Sequence, residues 1–167
     1  MASQFELKRL SPSTIPRALE KVHLYRVLNM PHLAESICHD VLAVEPNHTK
    51  ALQELILTIA DQYGSKSKRV SKVTVKELIG RLPDDYQRAY YSGLNAERRA
   101  LAVMNTNAIG HAVYEWLRKA MEHYEAAIAH SPDHNDDAVL RWNTCARILN
   151  ANPSLRPDDE PSRSWLS

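Results

Sequence analysis

Apolar side chains recur along most of this chain at steps of three and four residues, the period of an α-helix with one buried face. Behind Pro16, which suits a first helical turn, come Leu19, Val22, His23 and Arg26, then Val27 and Leu28. Asn29 and Pro31 break this run, and Pro31 opens a second helix carrying Leu33, Ile37, Val41 and Val44. Pro46 ends it, and Asn47 is the expected N-cap of a third helix over about 48–63, with Ala51, Leu52, Leu55, Ile56 and Ile59. Gly64 is the expected stop.

After a loop, Thr74 and Glu77 have capping-box spacing, which predicts a short helix over 75–81. Asp84 and Gln87 repeat that spacing at the head of a fifth helix running to about Met104. The sixth carries Val113, Trp116, Leu117, Ala120, Tyr124, Ala127 and Ile128, and ends at Ser131-Pro132-Asp133. A seventh spans about 135–149, with Val139, Trp142, Cys145, Ala146 and Leu149. The pattern therefore divides the chain into a polar arm over 1–13, a helical domain over 14–149 and a proline-rich tail over 150–167. The tail is expected to be disordered, because it has little apolar surface to bury.

Helices joined by short turns, with a proline after every second one, call for a search for repeats. The segment from Ala120 through Tyr124 and Ala127 to Pro132 resembles the second helix of a tetratricopeptide repeat, with small residues at crossing points, an aromatic between them and a closing proline. Ala34, Cys38, Val41, Leu42 and Pro46 resemble it at the same length, and Tyr25 then takes the aromatic position of the preceding helix. Ser71 to Pro83, with Leu78 at a packing position, is a third match. A small residue lets two backbones approach while the aromatic fills the space beside it.

The resemblance implies an all-α fold: a right-handed superhelix of stacked antiparallel helix pairs, with about three divergent repeats and helix seven as a C-terminal cap. The chain departs from the family in its spacing. Pro46, Pro83 and Pro132 stand 37 and 49 residues apart, whereas family repeats run to about 34. Val22 also occupies a place the family usually gives to a small residue.

The same resemblance implies a groove lined by the first helix of each pair. Carried onto this chain, its exposed positions are Arg26, Gln53, Tyr90, Glu97, Arg98, Asn143 and Arg147. Tyr and Arg are common where interfaces concentrate their energy. Tyr90, Tyr91 and Gly93 have a second reading as packing residues. The positions at which chaperone-binding members hold a peptide carboxylate contain Leu19, His23, Gln53, Leu57, Tyr90 and Leu94 here, so that clamp is not expected.

Composition narrows the function. The 21 basic and 20 acidic residues leave a net charge of +1, which argues against a general nucleic-acid binder. Lys66, Lys68, Arg69, Lys72 and Lys76 cluster locally, and are read first as a solvated loop. Cys38 and Cys145 both fall in apolar patterns and read as reduced, buried thiols. No apolar run has signal-peptide or membrane-spanning length, so a cytoplasmic protein is the expectation.

No motif for nucleophilic catalysis, nucleotide binding or zinc ligation occurs, and Pro132 separates His130 from His134. No metal, cofactor or enzymatic activity is expected. The function expected is a scaffold that binds a partner protein or peptide. A homo-oligomerisation module and a helical enzyme or small-ligand domain are the alternatives. Trp165 reads as a tail residue without a role or as an anchor.

Overall fold

A computed structural model describes residues 4–66, 68–106 and 110–158. Among these residues the chain is all-helical: α1 Ile15–Val27, α2 Pro31–Val44, α3 Thr49–Ala60, α4 Val75–Gly80, α5 Asp85–Met104, α6 Gly110–Ala129 and α7 Asp137–Ala151. Single 3-10 turns flank them at Pro12–Thr14 and Pro153–Leu155.

The helices start and stop where side-chain chemistry allows. Thr74 and Glu77 form the expected capping box, each side chain bonding the other's backbone N–H. Asp84 accepts from the N–H of Gln87 at 2.7 Å, but the Gln87 amide turns to the Asp84 carboxylate, so only half of a box forms. The cap of α3 is His48 and not Asn47: its Nδ1 accepts from the N–H of Ala51. The turn shifts the start by one residue, and an imidazole nitrogen serves as acceptor. Gly64 has φ of +80°, closing the turn after α3 with a backbone conformation that glycine adopts without strain.

Each helix packs on its chain neighbour or the next but one. α1 pairs with α2, α2 with α3, α5 with α6 and α6 with α7. The short α4 bridges α3 and α5, and α1, α3 and α5 also abut in succession. The buried residues follow this order. Ile15, Ala18, Val41 and Ala51 form a first cluster, a second gathers around Leu52, Leu55, Ile56 and Leu78, and a third around Leu94, Leu117, Tyr124 and Cys145. Tyr91 packs against both of the larger ones. Local stacking of this kind builds a core by adding layers.

Ala34, Cys38, Ala120 and Ala127 are all buried. Val22 is buried too, so α1 tolerates a branched residue there. The tail does not begin without order. α7 continues to Ala151, and Leu155 packs beside Gly110 because that glycine leaves room for it. Residues 159–167 of the tail, Trp165 included, lie outside the described residues.

Candidate functional site

Glu54 of α3 and Asp61 at its C-cap stand seven positions apart, about two helical turns, so both carboxylates project from one face. That face meets α1. Arg26, at the end of α1, donates from Nε to Asp61 at 2.8 Å and from Nη1 to Glu54 at 3.0 Å. Burial works against charge on Arg26, but the hydrogen bonds and charges of Asp61 and Glu54 together outweigh it and raise its pKa. Glu54 is itself buried, which favours its neutral form. Lys50, 2.9 Å away, and Arg26 overcome this and lower its pKa.

From the other side α5 brings Arg98, whose Nη1 lies 3.6 Å from the second oxygen of Asp61. One carboxylate thus stands between two guanidiniums from helices 72 residues apart in sequence. Nearer the head of α5, Gln53 donates to Gln87 at 2.9 Å. Residues of α1, α3 and α5 therefore share a polar face.

Two cavities open on it. The first, about 450 Å³, is lined by the last turns of the three helices, with His23, Arg26, Asn29, Asp61, Arg98 and Asn105 as its polar walls. Val27, Pro31, Leu101 and Ala102 supply apolar ones. The second, about 420 Å³, is lined by Pro16, Leu19, Glu20, His23, Lys50 and Glu54. His23 belongs to both, so the cavities adjoin along α1.

The seven residues singled out from sequence do not come together at one place. Arg26 and Arg98 meet at Asp61, whereas Gln53 bonds Gln87 and lines neither cavity. Tyr90 sits in an aromatic cluster instead, stacked on Tyr86 at 5.8 Å and edge-on to Tyr91 at 5.4 Å. Asn143 and Arg147 lie on α7 and line neither cavity. Glu97 is not exposed as expected, but 1% accessible. It accepts from the Tyr124 hydroxyl at 2.6 Å and forms an ion pair with Arg141 of α7, so its charge is satisfied inside the domain.

Comparison with known proteins finds no matching family model, no matching curated protein and no matching solved structure.

The sequence reading missed Glu54 and Asp61. Their seven-residue spacing, with Lys50 one turn before Glu54, was the available signal. The basic cluster stays apart from this face. Lys66, Lys68, Lys72 and Lys76 are exposed, and Arg69 bonds the carbonyl of Val73. Trp142 is half-buried and donates to Glu125 at 3.1 Å. Among the described residues no three of His, Cys, Asp and Glu gather as a metal site would need, and no helix is long and apolar enough to cross a membrane.

Proposed function

We propose that this chain is a tetratricopeptide-like scaffold, a superhelix of three divergent hairpins with α7 as its cap, that holds a partner segment against α1, α3 and α5. The observation that carries this reading is the succession of those three helices, which brings Arg26, Asp61 and Arg98 together beside two adjoining cavities. Such a face is preorganised by its own ion pairs, so little ordering of the scaffold opposes association.

The test is a pull-down from lysate, wild type beside a His23→Glu/Arg98→Glu variant. Both side chains reach the cavities, and His23 is exposed. Tyr90 is avoided because its ring packs against three others. A partner retained by wild type and lost by the folded variant supports the reading. A partner held equally by both removes it.

One observation favours self-association as a second reading. Leu24 and Val27 of α1 and Leu28 at its C-cap are 51%, 69% and 55% exposed. Exposed apolar patches often mark contact surfaces. A molar mass that stays monomeric throughout a dilution series removes this reading.

A further inference from the structure

We propose a second binding surface, for a phosphorylated side chain of a partner protein, where Arg99 of α5 lies against Tyr63 and Trp116. It goes beyond the scaffold reading and does not depend on what the two cavities hold.

Arg99 is held by its flat sides. Its guanidinium carbon stands over the Tyr63 ring, 4.5 Å from the centre, and over the Trp116 ring of α6, 5.3 Å from the centre. Stacking of this kind leaves the N–H edge of a guanidinium to bond in its own plane. Tyr63 is fixed in turn, because its hydroxyl donates to Oδ1 of Asn95.

That edge has no counter-charge. Arg26, Arg98 and Arg141 each face a carboxylate. Among the described residues no ion pair includes Arg99, although its side chain is half-buried. None of its nitrogens is both buried and unpartnered, so the N–H groups not bonded within the domain meet solvent. A partly desolvated cation attracts an anion more strongly than one in open water.

The surroundings add positive charge. Burial raises the Tyr63 phenol, and the charges of Arg99 and Arg69 oppose it, so both guanidiniums lie within electrostatic reach of that hydroxyl. Arg69 also enters no ion pair among the described residues. Lys119 stands 5.4 Å from the Trp116 ring, but Glu122 opposes it, as their contrary effects on His123 show. Arg69 and Arg99 are therefore the working pair.

Charge count selects the ligand. A carboxylate brings one negative charge to two guanidiniums. A phosphate monoester brings about −1.5 to −2 at neutral pH, with three acceptor oxygens for N–H groups. A single-stranded nucleic acid would need aromatic faces open to its bases, whereas both rings here already hold a cation. Val70, next to Arg69, is 55% exposed and offers apolar contact to a residue flanking the phosphorylated one.

The test uses a fluorescein-labelled heptapeptide with a central serine between valines, the serine phosphorylated, unmodified or replaced by aspartate. Binding is read by fluorescence anisotropy. The phosphopeptide is expected to bind saturably, at least about tenfold tighter than either of the others. Arg99→Gln is expected to abolish that preference. Arg69→Gln, at a loop position outside the helices, is expected to reduce it at least about threefold and keeps the test decisive should Arg99→Gln unfold. Lys72→Gln, exposed in the same loop, is expected to change it by less than about twofold.

Equal binding of the three peptides, or no binding by any, overturns the proposal. So does a preference that survives the arginine substitutions, or one that Lys72→Gln lowers as much as Arg69→Gln does, which would mark diffuse attraction to a basic surface. Inorganic phosphate that competes as well as the phosphopeptide would show a site for the free ion only. An oligouridylate that binds tighter than the phosphopeptide would show a nucleic-acid surface. Either result also overturns the proposal.

Discussion

Gly93 of α5 lies directly beneath the ring of Tyr124 of α6: a methyl group placed on Gly93 would stand 2.5 Å from Cε1 of that ring. Tyr124 cannot yield, being fully buried with its hydroxyl bonded to Glu97. Two opposed effects therefore meet in Gly93→Ala. Helix propensity alone would stabilise α5 by about 0.5–1 kcal/mol. Overpacking a close contact costs typically about 1–3 kcal/mol. We expect the clash to win and urea unfolding to show a net loss of about 1–2 kcal/mol. A gain in stability would mean that α5 and α6 do not approach as closely as described.

The second prediction concerns Glu97. Its carboxylate is buried and answered by Tyr124 and by Arg141 of α7. Removing one partner of such a pair leaves an uncompensated charge, a loss of about 3–5 kcal/mol for a fully buried pair. A third of the Arg141 side chain meets solvent, which reduces the figure. Arg141→Met should therefore cost roughly 2 kcal/mol. Glu97→Gln in the same chain should recover part of it, because an amide needs no counter-charge. Additive losses in the double-mutant cycle would show that the two residues do not act as a pair.

These two positions also mark what the sequence could and could not disclose. Helix number and most boundaries follow from apolar spacing, proline and caps, all local signals, and the small residues at Ala34, Ala120 and Ala127 pointed to close helix crossings. The repeat resemblance puts Glu97 at an exposed, groove-lining position, whereas the structure buries it. Its partner Arg141 lies 44 residues on, and no local pattern connects them. Asp61 was missed for the same reason: its significance comes from Arg26 and Arg98, which only tertiary packing brings to it. The slip from Asn47 to His48 at the head of α3 has another origin. Either side chain can accept a cap hydrogen bond, and the turn decides which one does.

A third prediction follows from the cysteines. Burial, and secondarily the Glu54 carboxylate for Cys38 and Glu97 for Cys145, pushes both thiols up to about 12. Few thiolates then exist in the folded chain at pH 8, and the thiolate is the reactive form. A chromogenic disulfide reagent should label neither cysteine in the native protein and both in urea. Rapid native labelling of either one would contradict its burial.

The same shifts set an alkaline limit on stability. In the unfolded chain thiols ionise near 9, while in the folded chain they hold their protons to about 12. Over that window the folded state binds more protons than the unfolded one, so stability falls as pH rises. Tyr91 and Tyr124, both pushed up by burial, act in the same direction. The urea midpoint should therefore decline from pH 9 upward. Cys38→Ala/Cys145→Ala should flatten the first part of that decline, even though loss of packing lowers its absolute midpoint. An unchanged slope would assign the whole effect to the tyrosines.

The last prediction tests the acid at the centre of the shared face. Asp61 holds Arg26 at 2.8 Å and Arg98 at 3.6 Å, so it lowers the repulsion between guanidiniums from α1 and α5. Asp61→Asn keeps the shape and removes the charge. Arg26 then keeps only its bond to Glu54, and Arg98 loses its carboxylate partner. The side chains are partly accessible, so the expected loss is modest, about 1–2 kcal/mol. Its dependence on salt is the sharper readout. Added salt screens repulsion between the two cations and weakens the pairs of the wild type. The stability gap between the two proteins should therefore narrow from low to high ionic strength. A gap that stays constant would mean that Asp61 acts through hydrogen-bond geometry and not through its charge.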